Sequence, residues 1–431
     1  MTDWQTGATL RMTLYHSGTK HDEHFSVKLP PQGGRLARAL SSAIDTTNVG
    51  DYQIEVRDSH TSRVLFSRGF DGVLEPDNKW AAEILSVRFP FPSKPVLVAI
   101  RARNDDNVGF HDVWTTVVRP DDIEIASIKP LSEDVITLMQ NGSPAAKVDI
   151  AILGDGYASD ERAKFAADAQ RATESLFSMA PYRGLRSAFN VRAVFTPSAE
   201  SGLTDPTYQR YHRSALGMTY NINNTERALG TLDDTLIRDA AAAVPYEVIL
   251  VLVNSARYGG MGLTNQYATV PIDNPLARYI VVHEFSHEFA GLADEYYFTD
   301  QCSKGADRHE PWRPNVTLSA TAKDAKWAAM ISAPVPSPWQ KEPFEKKSVS
   351  FVSRYFKVRN GGGPEPEISS VLAQYAKETG ELLNNDALFG SPGLFEGADG
   401  QPCGAFRPEV NCNMFLLGTD YFCPCMHEGD S

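Results

Sequence analysis

No cysteine precedes Cys302 in this 431-residue chain, and of the five present (Cys302, Cys403, Cys412, Cys423 and Cys425) four crowd its end. Cross-linking is therefore confined to the last third. The clustering predicts local disulfide stapling of a loop-rich C-terminal end, with one thiol left over by the odd count. A structural zinc held by Cys412, Cys423, Cys425 and His427 is the alternative. The single residue between Cys423 and Cys425 is tight for such a knuckle, whose paired ligands usually stand two or more residues apart.

Positive charge is also short. Lys and Arg number 41 against 54 Asp and Glu, a formal net charge of −13, which argues against nucleic acid or an anionic membrane as partner. No apolar run is long enough to span a bilayer. Met1-Thr2-Asp3-Trp4 has neither the basic start nor the apolar stretch of an export signal. Either the protein is cytosolic or a signal has been removed, and the cysteines favour the second: a secreted, periplasmic or cell-surface protein. A dinucleotide fingerprint is missing too, because Gly154-Asp155-Gly156 is too short for one and reads as a turn. What remains is an ordinary globular composition, in a chain long enough for two or three domains.

The first part of the chain alternates in the manner of strands, as in Thr9-Leu10-Arg11-Met12-Thr13-Leu14-Tyr15, Gln53-Ile54-Glu55-Val56-Arg57 and Val96-Leu97-Val98-Ala99-Ile100. Turn clusters such as Asn104-Asp105-Asp106-Asn107 separate the runs. Short strands at this spacing predict an all-β sandwich over residues 8–125. It has no helically spaced ligand cluster; His21 and His24 read as solvated loop residues. Such a domain is expected to serve packing or substrate docking.

From 140 onward the pattern changes. Val148-Asp149-Ile150-Ala151-Ile152-Leu153 reads as a buried strand, followed by a helix from Ser159, a strand at 189–195, a helix from about Thr225 to Ala243 and a strand at 246–253. This alternation predicts an α/β domain with a mostly parallel sheet over residues 140–431. Tyr267-Ala268-Thr269-Val270-Pro271 reads as an edge strand, and Arg257-Tyr258-Gly259-Gly260-Met261-Gly262 before it as a loop admitting close backbone approach. Along such an edge an extended peptide can add itself as a further strand, which makes Tyr258, Gly259 and Gly260 substrate-edge candidates. Further on, Lys323 to Met330 looks helical, 333–338 is an extended proline-rich connection, and Gly361-Gly362-Gly363-Pro364 is a loop tip.

The chemistry is concentrated in His283-Glu284-Phe285-Ser286-His287. Two histidines four residues apart share one helical face, so both imidazoles reach one metal ion, and Glu284 stands where its carboxylate can take a proton from a water. Asn274-Pro275 offers a helix start and Gly291 a stop. The competing reading, two core histidines satisfied by hydrogen bonds alone, must find partners for three buried polar groups. One zinc ion supplies them together.

A catalytic zinc needs a third protein ligand and an open position. Chain reversal at Gly291 favours Asp294, with Glu295 the competitor if the helix runs on; the loser is expected to orient a histidine. Zinc in such a site brings the pKa of its water to about 7 and polarises a carbonyl, while Glu284 carries the proton to the leaving amine. Tyr258 and Tyr296 are candidates to help hold the developing oxyanion. Two other functions compete: a surface module binding a glycan or host protein around a structural zinc, and a zinc amidase or deacetylase. A structural site has no use for Glu284, and the glycine-edged strand suits an extended peptide.

Taken together, Ile152-Leu153-Gly154-Asp155-Gly156-Tyr157, Phe189-Asn190-Val191-Arg192, Tyr258-Gly259-Gly260, the zinc stretch through Gly291-Leu292-Ala293-Asp294-Glu295-Tyr296, and Arg407-Pro408, Cys412-Asn413-Met414 and Phe422-Cys423-Pro424-Cys425 resemble the immunoglobulin-A-type metallopeptidase family. The resemblance covers roughly residues 10 to 430. It implies an exported zinc endopeptidase with an N-terminal β domain and an α/β zincin, metzincin-like catalytic domain. It also implies that Met414 forms a methionine turn beneath the metal. Cleavage of immunoglobulin A belongs to one branch of the family and does not follow from it.

Overall fold

Alternation in the first part of the chain builds two four-stranded sheets. One orders Ala81–Pro92, Trp4–Thr19, Asp22–Arg35 and Ala126–Ser127; the other orders Val64–Phe70, Tyr52–Asp58, Val96–Arg103 and Phe110–Val118. Leu10, Met12 and Leu14 of the first sheet share one buried core with Ile54, Val56, Val98 and Ile100 of the second, as two sheets packed face to face require. This computed structural model describes residues 3–19, 22–35, 43–74, 80–122, 125–127, 129–302 and 308–423. His21, Cys425 and His427 lie outside the described residues. His24 is exposed beside Asp22, within a strand rather than a loop.

One buried charge in this domain has a measurable consequence. His16 is stacked on Phe25, with Nδ1 2.9 Å from Glu83 and Nε2 3.4 Å from Glu23. Burial works to lower its pKa, but the two carboxylates outweigh it and raise the imidazole from 6.5 to about 9. The protonated form is thus the stabilising one. Its contribution is complete below the unfolded value near 6.5 and is lost as pH rises through about 9. We expect urea unfolding to show a loss of order 2–3 kcal/mol between pH 6 and 9.5 in the parent. His16→Gln should lack that slope.

The second domain is organised on a six-stranded sheet ordered Met261–Leu263, Tyr267–Pro271, Val248–Val253, Val148–Asp155, Phe189–Val194, Val135–Met139. The four inner strands are parallel and the outer two antiparallel. Val135–Met139, ahead of the expected start at 140, is one outer strand. Tyr267–Pro271 is not an edge: the outer position belongs to Met261–Leu263, within the stretch read as a loop. The glycines there lower strand propensity, but pairing to Thr269, Ala268 and Tyr267 supplies the ladder.

Two expected helices are also corrected. The helix from about Thr225 to Ala243 is only Thr235–Ala241. Before it, Asn223 and Asn224 adopt positive φ and Leu229–Gly230 pairs with Thr219–Tyr220. Lys323–Met330 forms two short 3-10 turns, Ala322–Asp324 and Ala328–Met330. Lys326 Nζ donates to the Arg313 and Val316 carbonyls and Trp327 Nε1 to the Gly393 carbonyl, tertiary bonds that override local propensity. A helical pair, Lys341–Asn360 and Glu365–Asn384, went unread on either side of the predicted loop tip. Ile368, Leu372, Tyr375, Thr379 and Leu383 carry its periodicity.

The cysteines staple the end of the chain locally only in part: Cys423 is disulfide-bonded, but Cys403 reaches back. Cys403 pairs with Cys302, 101 residues earlier, because the Phe395–Ala398/Gln401–Arg407 hairpin docks on the segment after the histidine helix. Asp399 N–H donates to the Asp294 carbonyl and Gly400 N–H to the Tyr296 carbonyl. Cys423 is disulfide-bonded and Cys412 is free and buried, so the Cys/His knuckle does not form. Burial pushes the Cys412 thiol well above its ordinary pKa, with the Glu295 carboxylate adding to the shift. A thiol reagent is therefore expected to find no reactive cysteine in the native protein and one after unfolding without reductant.

Candidate metal centre

The helix Ala277–Ala290 carries the two histidines. Asn274 Oδ1 accepts the Leu276 N–H at 2.9 Å, an Asx turn that starts the helix three residues before its first residue, so Leu276 rather than Asn274 is the N-cap. At the other end Gly291 adopts φ +63° and donates to the His287 carbonyl. The positive φ favours glycine, and a Cβ there would also crowd Trp312 at 3.1 Å. The chain then turns back under the helix.

That reversal brings Asp294 to the histidines. Its Oδ1 lies 3.0 Å from His283 Nε2 and 3.2 Å from His287 Nε2, and the two nitrogens are 3.2 Å apart. Each ring is turned by a main-chain carbonyl: His283 Nδ1 lies 3.1 Å from the Asn413 oxygen and His287 Nδ1 2.6 Å from the Leu292 oxygen. A carbonyl only accepts, so both Nδ1 atoms carry the hydrogen and both Nε2 lone pairs face Asp294. Three acceptors then meet with no hydrogen between them. Ligands about 2.0–2.1 Å from a tetrahedral ion stand about 3.3 Å apart. The residues present fit a metal.

Glu284 also brings a carboxylate oxygen within 4.8 Å of both imidazoles, but it forms no ion pair with either among the described residues. Burial raises its pKa to about 7, with Asp294 adding to the rise and Arg227 opposing it. A carboxyl group poised there can both take and return a proton near neutrality.

Glu295 points elsewhere. It is fully buried, with Oε1 accepting from Asn315 Nδ2 and Oε2 from Cys412 Sγ, both at 3.0 Å, and its N–H donates to the Met414 carbonyl. It therefore does not orient a histidine through its side chain, as expected of the losing carboxylate. It ties the Asp294 segment to the turn at 412–416. That turn, closed by Phe415 and Leu416 N–H groups on the Cys412 carbonyl, contains the Asn413 oxygen that orients His283 and the buried Met414.

The glycine-rich stretch leads into the outer strand and lies against the site helix. Gly259 and Gly260 are buried, and Gly260 N–H donates to the Arg227 carbonyl. A Cβ on Gly260 would stand 2.5 Å from Glu284 Oε1, and one on Gly262 2.3 Å from the Glu284 carbonyl. Close approach is to the site helix itself. Tyr258 is partly buried, its N–H held by Glu365, and its phenol feels Arg227, Glu284 and Asp294. The Tyr296 ring lies nearly parallel to His283 at 6.3 Å, and its hydroxyl accepts from Arg227 Nη2 at 2.8 Å.

Several contributors escaped the sequence reading. Tyr279, one turn before His283, places its hydroxyl 3.1 Å from Nδ1; its i−4 spacing was a usable signal. Arg227 and the Asn413 carbonyl carried none. Nor did the role of the β-sandwich in bracing the helix end. Asp71 accepts from Thr264 Oγ1 at 2.6 Å and from Arg313 at 3.1 Å, Trp312 donates to Asp51, and Asn265 N–H donates to the Glu288 carbonyl. The N-terminal domain thus packs on the turn that supports the C-terminal end of the site helix.

Two imidazoles and a carboxylate around one point, with a second carboxylate alongside, are the equipment of a metal-dependent hydrolase. Residues 136–429 match the family described as IgA Peptidase M64, and residues 2–115 match its companion, Peptidase M64 N-terminus. The chain belongs to the IgA peptidase M64 family, and so to the metallopeptidases. No curated protein matches it. Among the described residues no helix is long and apolar enough to cross a membrane.

Proposed function

We propose that the protein is a zinc-dependent endopeptidase acting outside the cytoplasm on an extracellular protein, with its α/β domain a metzincin-like zincin. The observation that carries this is the meeting of His283 Nε2, His287 Nε2 and Asp294 Oδ1 within 3.0–3.2 Å, with both ring tautomers set by main-chain carbonyls. Two nitrogens and one carboxylate oxygen form the donor set of a catalytic zinc with a position left open. Bound there, zinc would supply Lewis acidity, polarising the scissile carbonyl and acidifying a water.

The chain's own residues do the rest. Glu284 accepts the proton of the attacking water and returns it to the leaving amine. Tyr296, beside His283, and Tyr258, near Glu284, are assigned to donate toward the developing oxyanion. Met414 is assigned to the methionine turn beneath the site. The Cys302–Cys403 disulfide fits an oxidising compartment.

The test is a mixed peptide library incubated with the protein, with and without chelator, beside metal analysis of the purified chain. Internal cleavage that stops with chelator and returns with zinc is expected, at about one zinc per chain. Release of acetyl groups without backbone cleavage would move the chemistry to a deacetylase.

A further inference from the structure

Arg227 lies beside the proposed metal site, in contact with Tyr296. Its carbonyl accepts the Gly260 N–H, and a Cβ on that glycine would touch Glu284. Through its exposed side chain Nη2 meets the Tyr296 hydroxyl at 2.8 Å and the guanidinium lies 5.6 Å from the ring centroid. Tyr296 in turn lies against His283. The guanidinium is thus one aromatic ring from the proposed ligand set, and its charge acts on Glu284.

Its neighbours are neutralised. Arg257 pairs with Asp205 and Glu226, and Arg359 with Glu226 and Glu365. Among the described residues Arg227 has no carboxylate in ion-pair contact, and its guanidinium donates only to Tyr296. A planar fork with donors to spare, open to solvent beside the bond to be cut, matches a carboxylate bidentately. With Asp294 committed to a metal and Glu284 to the proton, the Arg227 guanidinium keeps donors for a further carboxylate.

We propose that Arg227 is a specificity residue that receives a substrate carboxylate near the scissile bond. This rests on the peptidase reading for its location, but the charge match is a separate claim. The two carboxylate sources are an Asp or Glu side chain and a peptide C-terminus.

Binding of fluorescent peptides to the Glu284→Gln protein, read by anisotropy, tests it without turnover. Paired peptides differ by Asp against Asn within an amidated chain, or by a free against an amidated C-terminus. We expect at least about tenfold tighter binding of the acid member of one pair, lost in Arg227→Gln. In Arg227→Glu the preference should reverse toward Lys-containing peptides, a change that a merely structural arginine would not produce. Selectivity in the first pair assigns a side chain, in the second a terminus. Equal binding within both pairs, no binding at all, or a selectivity that survives Arg227→Gln overturns the proposal. Cleavage by the parent without acid selectivity would leave the peptidase reading standing alone. Acid-selective binding without cleavage would do the reverse.

Discussion

Glu284→Gln is expected to retain fold and metal while losing turnover by about 10³-fold or more. The amide is nearly isosteric, so the Gly260 backbone that packs against Glu284 Oε1 still fits. What disappears is the proton acceptor. Burial holds this carboxyl near 7, so a neutral amide at the same place costs the helix little and does not disturb His283, His287 or Asp294. Equal zinc content in parent and variant, with cleavage nearly abolished, is the expected pair of measurements. A variant that keeps activity within tenfold would remove Glu284 from the chemistry. A variant that has lost its zinc would show that its carboxylate helps hold the metal.

The neighbouring carboxylates should separate in what they lose. Asp294→Ala removes the oxygen that meets both Nε2 atoms at 3.0 and 3.2 Å. It should cost well over the 10–100-fold in metal affinity typical of a residue that only orients a ligand, with little change in the melting temperature of the metal-free protein. Glu295→Ala should do the opposite. It leaves the Cys412 thiol and the Asn315 amide without their buried acceptor, a loss of about 1–3 kcal/mol in stability, while zinc is retained. Dialysis against a mild chelator and thermal unfolding of the apo forms distinguish them. Zinc lost from Glu295→Ala and kept by Asp294→Ala would exchange the two assignments.

Much of the site was legible because it is local. The His283/His287 spacing, the stop at Gly291 and the return of the chain at Asp294 all lie within one helix and its cap, where backbone geometry follows from residue type. The period-2 alternation that predicted the sandwich and the apolar runs that predicted the parallel strands are local in the same sense. What the residues could not disclose is whatever depends on a partner distant in the chain. Whether Met261–Leu263 or Tyr267–Pro271 forms the sheet edge depends on which strands flank it, and propensity pointed the wrong way at the glycines. Cys403 pairs with Cys302 because a hairpin docks beside Asp294–Tyr296. Cysteine spacing carries no record of that docking. The His283 tautomer is set by a carbonyl 130 residues later, and Asp71 of the β-sandwich holds Thr264 at the end of the site helix. The sequence by itself determined which atoms could bind a metal and attack an amide. Only the tertiary structure decided which carboxylate faces the histidines, which nitrogens offer their lone pairs, and that Arg227 meets Tyr296 beside the site, because each of these is fixed by contacts between segments far apart in the chain.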